Sequence, residues 1–171
     1  MPNVFWLPSF ASGSIGIALR PRGGDWLRDE VAHLRAEGVD LLVSLLITEE
    51  QVALGLLAEA ECCTTVGIEY VSAPMRDLGA PNDAADFRKL IRRLAANVRA
   101  GKSVAIHCRQ SVGRSGLVTC SVLLALGHPL SHAVTCVSSA RGVEVPETQV
   151  QREWLRQNEH QLSRLAGDDS S

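Results

Sequence analysis

The chain has 171 residues, of which 46% are hydrophobic and 21% charged, and its formal net charge at pH 7 is -2. This length and composition are typical of one globular domain, and no apolar run reaches the roughly 18 residues of a membrane span. The small net charge provides no basic field that would hold nucleic acid or an anionic membrane. We therefore expect neither as a partner and look for a specific pocket.

The first residues, 1–11, lack the basic and apolar regions of a secretion signal, so we expect a cytoplasmic protein with free thiols. The cysteines show no spacing typical of a zinc site, and we predict neither a metal nor a cofactor. They are Cys62, Cys63, Cys108, Cys120 and Cys136. We expect a single domain over residues 1–166, a disordered tail at 167–171 and a monomer, although the oligomeric state stays open.

Hydrophobic runs of strand length alternate with helical patterns along the chain, which is typical of an α/β fold. The runs predict strands at residues 15–19, 40–45, 68–72 and 103–106. Amphipathic spacing with capping residues or terminal glycines predicts helices at residues 25–37, from 48, 87–98, 117–126, 131–141 and from about 148. We therefore predict a central, largely parallel sheet of four to five strands flanked by helices.

Some helices carry more specific local signals. Gln51 is spaced from Thr48 as in a capping box, and Glu50 lies in the same first turn, where acidic side chains offset the helix dipole. Ser131 is placed to cap the helix that ends near residue 141. The last helix is predicted to bury an apolar side formed by Val150, Trp154, Leu155 and Leu162.

The strand at 103–106 runs into the loop His107-Cys108-Arg109-Gln110-Ser111-Val112-Gly113-Arg114, and an apolar helix follows. In a strand-loop-helix unit the loop amides can form an anion nest, and the helix directs its positive end to the same point. These donors favour thiolate over thiol at Cys108, which predicts a nucleophile that faces a bound phosphate. The alternative is that Cys108 is a small buried hydrophobic residue at a strand end.

Three neighbours of Cys108 have predicted roles. Arg114 offers a planar pair of donors that matches two phosphoryl oxygens, a geometry that lysine cannot reproduce. Ser115 is placed to donate a hydrogen bond to the sulfur when the thiolate leaves. His107 is expected to orient the loop from behind.

The run from His107 and Cys108 through five residues to Arg114, Ser115 and Gly116 resembles the signature of the protein tyrosine phosphatase superfamily, in particular its compact dual-specificity branch. The resemblance implies the cysteine phosphatase fold, no metal and a two-step reaction through a phosphocysteine. It also implies that the loop residues between the signature cysteine and arginine bind the substrate. These are Arg109, Gln110, Ser111, Val112 and Gly113.

Two further segments resemble parts of the same family. Residues 74–81 look like its general-acid loop, which implies that Asp77 protonates the leaving oxygen and then serves as the base for water. Residues 148–154 resemble the glutamine segment of cell-cycle-type and bacterial members, which implies that Gln151 helps to place that water. Without the resemblance, the surrounding sequence favours a turn aspartate at Asp77 and a solvated helix residue at Gln151.

One position departs from the family pattern, because Ser111 stands where the family usually has glycine. Glycine is favoured where the backbone is unusual, so the loop geometry is open and a phosphate-binding pseudophosphatase stays an alternative. A second alternative is a phosphoinositide phosphatase, although this loop has only Arg109 beside Arg114 where lipid-directed relatives tend to carry lysines. An RNA triphosphatase would need a more basic surface.

The leading hypothesis is a protein phosphatase that acts on phosphotyrosine, and also on phosphoserine and phosphothreonine, in a phosphorylated protein or peptide. A redox role is also open for Cys62 or Cys63, either of which would then pair with oxidised Cys108; otherwise both pack in the core.

Overall fold

The computed structural model describes residues 2–8, 12–77 and 79–167. Within these ranges five strands form one sheet in the order β1-β2-β5-β3-β4. The strands are β1 (Val4–Trp6), β2 (Ser14–Ala18), β3 (Leu41–Ser44), β4 (Glu69–Ser72) and β5 (Ser103–His107). Only the β1–β2 pair in this sheet is antiparallel, so the carboxyl ends of β2, β3, β4 and β5 meet at one edge.

The helices of the described residues connect these strands and close the chain. They are α1 (Leu27–Ala36), α2 (Thr48–Ala53), α3 (Glu59–Val66), α4 (Ala84–Arg99), α5 (Gly113–Ala125), α6 (Leu130–Arg141) and α7 (Gln149–Arg164), with a short 3-10 turn at Gly24–Trp26 before α1. In the part of the chain that the structure covers, no helix combines the length and apolar character needed to cross a bilayer.

The sheet separates two hydrophobic clusters. Alternate strand residues point to opposite faces, so Leu41 and Val43 pack with α4, α5, α6 and α7, whereas Leu42 packs with α1 and α3. Helix α5 is buried along its whole length, as expected for a helix that is apolar on all sides. The turn between β5 and α5 is therefore held at both ends by elements that are almost entirely buried.

The predicted fold class is confirmed: the sheet is largely parallel and helices flank both faces. The four predicted strands are present, and their ends are shifted by at most one residue. Strand β1 was not predicted, because three residues at a sheet edge carry too little pattern. Of the predicted tail at 167–171, residues 168–171 lie outside the described ranges, and the single-domain boundary stays a prediction.

Several local predictions for helices are wrong. The helix predicted from Thr48 is present as α2 and ends at Ala53, but its predicted capping residue is wrong. Its first turn is held by Glu50, which accepts a hydrogen bond from the Ile47 N–H at 3.1 Å, and not by Gln51.

Two other helices also differ from expectation. Helix α6 begins at Leu130, directly after Pro129, so Ser131 is not its cap. Pro129 has φ −69° and ψ 153°, an extended conformation that the fixed φ of proline permits at the residue before a helix. In α7, Leu155 and Leu162 are buried as predicted, but Val150 is 59% exposed.

Candidate active site

Cys108 directly follows β5, and its loop leads into the first turn of α5. The side chain is buried, and its Sγ lies 3.4 Å from Ser115 Oγ. At this distance the hydroxyl is placed to donate to a thiolate, since sulfur accepts hydrogen bonds at longer range than oxygen. The structure therefore brings together the predicted nucleophile and the predicted donor to it.

The loop carbonyls point outward to two arginines. Arg20 Nε donates to the carbonyl of Arg109 at 3.3 Å, while Arg141 donates from Nη2 to Gln110 and from Nε to Ser111, at 3.3 and 2.9 Å. A trans peptide is planar, so each N–H that follows such a carbonyl points in the opposite direction. The outer arginines thus turn consecutive loop N–H groups inward, which is the arrangement of an anion nest.

Ser111 adopts the left-handed conformation that its position usually assigns to glycine, with φ 58°. Its hydroxyl is buried and donates to the carbonyl of Ala18 at the end of β2, at 2.6 Å. The side chain therefore fastens the loop to the sheet while the backbone keeps its N–H. The inward-facing loop is compatible with serine here.

Arg114 is buried, and its outer nitrogens are held by a carboxylate. Nη1 and Nη2 donate to the two oxygens of Glu50 at 2.8 and 2.9 Å, and Nη1 also donates to the carbonyl of Met75 at 2.9 Å. The Nε of Arg114 lies 3.4 Å from Asp77 Oδ1, yet it is a buried donor without a hydrogen-bond acceptor among the described residues. A buried donor without a hydrogen bond is costly and marks a place where a ligand oxygen fits.

Arg114 and Glu50 each stabilise the charged form of the other. Burial would lower the pKa of Arg114, but the hydrogen bonds with Glu50 and the charges of Cys108 and Asp77 outweigh it and raise that pKa. In turn, the Arg114 hydrogen bonds hold the pKa of Glu50 below its ordinary value. Both partners therefore stay charged at neutral pH.

The two remaining predicted residues approach the loop from other elements. Asp77 lies between β4 and α4 with 47% of its side chain exposed, on the Nε side of Arg114. Gln151 is buried in the first turn of α7, where it forms a capping box with Thr148 and donates from Nε2 to the carbonyl of Gly79 at 3.3 Å. A Cβ built on Gly113 would lie 3.1 Å from Gln151 Oε1. Gln151 is thus wedged between the loop and the Asp77 segment, and is not solvated.

His107 lies behind the loop, fully buried. Its Nδ1 is 3.3 Å from the carbonyl of Cys108, and its Nε2 is 2.7 Å from Glu59 Oε1. The imidazole is therefore placed to hold the start of the loop and does not face the anion nest.

The sequence analysis missed both glutamates that hold site residues. Glu50 was interpreted as a helix-dipole residue, and Glu59 was not considered; each lies far along the chain from its partner. Cys62 and Cys63 belong to the cluster on the other side of the sheet from Cys108. Burial raises the pKa of Cys63 to about 12, so that thiol is unreactive.

Metal ligation was also considered. Over residues 2–8, 12–77 and 79–167, no three or more His, Cys, Asp and Glu side chains are grouped so that they could hold a metal ion.

A family model described as "Polymorphic toxin system, DSP-PTPase phosphatase" matches residues 16–128, which run from within β2 to beyond α5 and include the whole Cys108 loop. The chain belongs to this phosphatase family. It is accordingly a cysteine-dependent protein phosphatase of the tyrosine and dual-specificity type. A search of curated protein sequences found no match.

Solved structures of phosphatases share the fold of this phosphatase. Kinase associated phosphatase with its catalytic cysteine replaced by serine superposes with a TM-score of 0.84 at 20% identity, covering 94% of this chain and 95% of that one. The active form of Tk-PTP gives a TM-score of 0.75 at 27% identity, with 93% and 97% covered. PTPMT1 in complex with PI(5)P gives 0.74 at 16% identity, with 94% and 99% covered.

Proposed function

We propose that the Cys108 loop of this phosphatase hydrolyses phosphotyrosine, and also phosphoserine and phosphothreonine, in a phosphorylated protein or peptide. The observation that carries the proposal is the buried Nε of Arg114, which has no hydrogen-bond acceptor among the described residues although Asp77 Oδ1 lies 3.4 Å away. A phosphoryl oxygen supplies the missing acceptor. The inward loop amides supply further donors to the same group.

In the first step the Cys108 thiolate attacks phosphorus, so an S–P bond forms while the ester P–O bond breaks. The leaving oxygen takes a proton from Asp77, whose Oδ1 lies 3.4 Å from Arg114 Nε. Arg114 and the loop amides hold the phosphoryl oxygens, whose charge is spread in the transition state. A free thiol of this kind suits a reducing cytoplasm.

In the second step water attacks the phosphocysteine, and the S–P bond breaks. Asp77 takes the proton of that water, and Gln151 orients it from its place between the loop and the acid segment. Ser115 donates to the sulfur, which leaves as thiolate. The products are inorganic phosphate and the regenerated thiolate.

The test compares two substitutions at the loop. Cys108→Ser should abolish hydrolysis of a phosphopeptide yet keep its binding, because the amides and Arg114 remain. Arg114→Lys should lose both hydrolysis and binding. The ammonium of lysine cannot replace the planar guanidinium, whose donors contact Glu50 and the phosphate at the same time. Turnover and isothermal titration calorimetry measure the two effects.

Cys136→Ser, a cysteine on α6 away from the loop, is the matched control and should keep wild-type turnover. Full turnover by Cys108→Ser would refute the proposed nucleophile. A second measurement, kcat/KM for phosphotyrosine, phosphoserine and phosphothreonine peptides and for phosphoinositide vesicles, decides the substrate class. A preference for the vesicles would replace the protein substrate by the lipid alternative.

A further inference from the structure

Three large apolar side chains are exposed on the two connections that leave the strands next to β5. Trp26 ends the 3-10 turn between β2 and α1, Val52 lies in α2, and Leu57 lies between α2 and α3. Each of them is more than half exposed. Single exposed hydrophobic residues are ordinary on a protein surface, whereas a group of them in one place marks an interaction surface. We refer to these three residues as the apolar patch.

The backbones of the two connections touch each other at glycines. The Gly24 N–H donates to the carbonyl of Gly55 at 3.0 Å, and a Cβ on Gly23 would overlap the opposite backbone. Trp26 lies two residues after Gly24, and Leu57 lies two residues after Gly55. The contact between the glycines therefore brings the members of the apolar patch to one part of the surface.

The ring of Trp26 is held in place although it is exposed. The guanidinium carbon of Arg22 lies 4.4 Å from the ring centroid, and Glu30 accepts hydrogen bonds from Arg22 Nε and Nη2 at 2.9 and 2.7 Å. On the neighbouring connection, fully buried Leu56 anchors the chain beside Leu57. A surface that is already fixed loses little conformational entropy when it binds a partner.

The two connections that carry the apolar patch also border the active site. Strand β5 lies between β2 and β3, so both connections leave the sheet at the edge where the Cys108 loop lies. Each connection contacts that loop directly: Arg20 donates to the carbonyl of Arg109, and Glu50 accepts hydrogen bonds from Arg114. A substrate bound at the loop therefore extends over this edge of the sheet.

We propose that the apolar patch binds an apolar side chain of the phosphorylated protein or peptide, close in sequence to the phosphorylated residue. Val52 lies two residues beyond Glu50, and Trp26 lies six residues beyond Arg20, which is at most about 20 Å away. An extended peptide covers such a distance in about six residues. The preferred apolar residue thus lies within about six residues of the phosphorylated one. The proposal rests on the proposed function, since it specifies a feature of the same substrate.

The size of the apolar patch fits a short segment of chain. Three side chains that are each more than half exposed provide a few hundred Å² of apolar surface. Each partner of a stable protein complex buries roughly 800 Å². The patch alone is therefore too small to hold a second copy of the chain, and it is large enough for one or two side chains of a substrate.

The test measures kcat/KM for peptides with a central phosphotyrosine, in which a single leucine is moved through the flanking positions of a sequence of serine and alanine. At one or more positions the leucine should raise kcat/KM of the wild type roughly tenfold through a lower KM, because its side chain is buried against the patch. Trp26→Gln and Leu57→Gln should each remove most of this gain. Both variants should keep wild-type turnover of p-nitrophenyl phosphate, which is too small to reach the patch.

Val143→Gln, at an exposed apolar residue that follows α6, is the matched control and should keep the gain. The substituted side chains are exposed, so all variants should fold as the wild type does. Peptides that are hydrolysed without any preference for leucine would overturn the proposal, as would a gain that persists in both Trp26→Gln and Leu57→Gln.

Two further measurements examine other occupants of the patch. A loss of activity in Trp26→Gln that is confined to phosphoinositide vesicles would assign the patch to a lipid surface, and a wild-type dimer that this substitution dissociates in sedimentation would assign it to a second copy. Either result would overturn the proposal. Failure of the proposed function would appear differently, as a wild type that hydrolyses p-nitrophenyl phosphate but none of the peptides, and the proposal would fall with it.

Discussion

At the scale of single residues, the conformation of Ser111 shows how a position that usually needs glycine can accept a side chain. An L-residue in the left-handed region is about 1 to 2 kcal/mol less stable than in the right-handed one. The buried hydrogen bond from Ser111 Oγ to Ala18 O offsets about 1 kcal/mol of this cost. The serine thus replaces the freedom of glycine by a fixed attachment to β2.

This balance predicts an order of stabilities. Ser111→Ala keeps the left-handed strain and loses the hydrogen bond, so it should be less stable than the wild type by about 1 kcal/mol. Ser111→Gly loses the bond as well but also loses the strain, so it should lie close to the wild type. Urea unfolding of the three proteins gives the order, and an alanine variant as stable as the wild type would show that the bond contributes nothing.

At the scale of elements, two residues of the site hold the segment between β4 and α4. Arg114 donates to the carbonyl of Met75, and Gln151 donates to that of Gly79, so both sides of Asp77 are held by residues of the site. Parallel strands with helical crossovers bring their carboxyl ends together, which explains why β4 and β5 deliver these residues to one place.

Asp77→Asn should lower kcat by roughly 10² to 10⁴-fold with little change in substrate affinity, because expulsion of an alkoxide or phenoxide needs a proton donor. The loss should shrink for aryl phosphates whose leaving group has a low pKa. The basic limb of the kcat/KM profile should flatten in the variant, as that limb would report deprotonation of the acid.

Asp86→Asn, an exposed carboxylate of the neighbouring α4, is the matched control and should behave as the wild type. Steady-state kinetics over a series of aryl phosphates measures all three proteins. If Asp77→Asn kept the basic limb and the weak leaving-group dependence of the wild type, the acid would have to be a different residue.

At the scale of the whole molecule, sequence patterns predicted the layers of the fold and the short-range part of the site. The sheet, α4 and the Cys108 loop follow from periodicity, capping and local spacing, which act over a few residues. The pairs Glu50 with Arg114 and Glu59 with His107 join α2 and α3 to the loop across the fold, and no local pattern distinguishes such a glutamate from a solvated one. Trp26 shows the same limit, because an aromatic residue in a sequence suggests packing in the core, whereas here it is 57% exposed and lies under the guanidinium of Arg22.

Ion pairs and hydrogen bonds of the carboxylates also determine how the molecule responds to acid. The pKa values of Glu30, Asp40, Glu50 and Glu69 are all lowered. The largest cause is the hydrogen bond from the Ser103 N–H for Asp40, from Arg114 for Glu50 and from Lys102 for Glu69, while at Glu30 the hydrogen bonds from Arg22 outweigh burial. A carboxyl whose pKa is lower in the folded state contributes stability that is complete above its unfolded value. That contribution is lost as pH falls through the folded value, since the unfolded chain takes up the proton first.

The free energy of unfolding should therefore decrease as pH falls below the ordinary glutamate pKa of 4.5, with Glu50 a major contributor because its partner is buried. Glu50→Gln should lower stability near neutral pH by about 3 kcal/mol, since Arg114 is left buried without its counter-charge, and should show a shallower further loss in acid. Glu69→Gln, whose side chain is 39% exposed, is the control and should cost less than about 1 kcal/mol. Urea unfolding of the three proteins from about pH 7 to about pH 3 measures how the free energy of unfolding of each depends on pH. A Glu50→Gln variant that loses stability in acid as steeply as the wild type would place the acid sensitivity in other carboxyls.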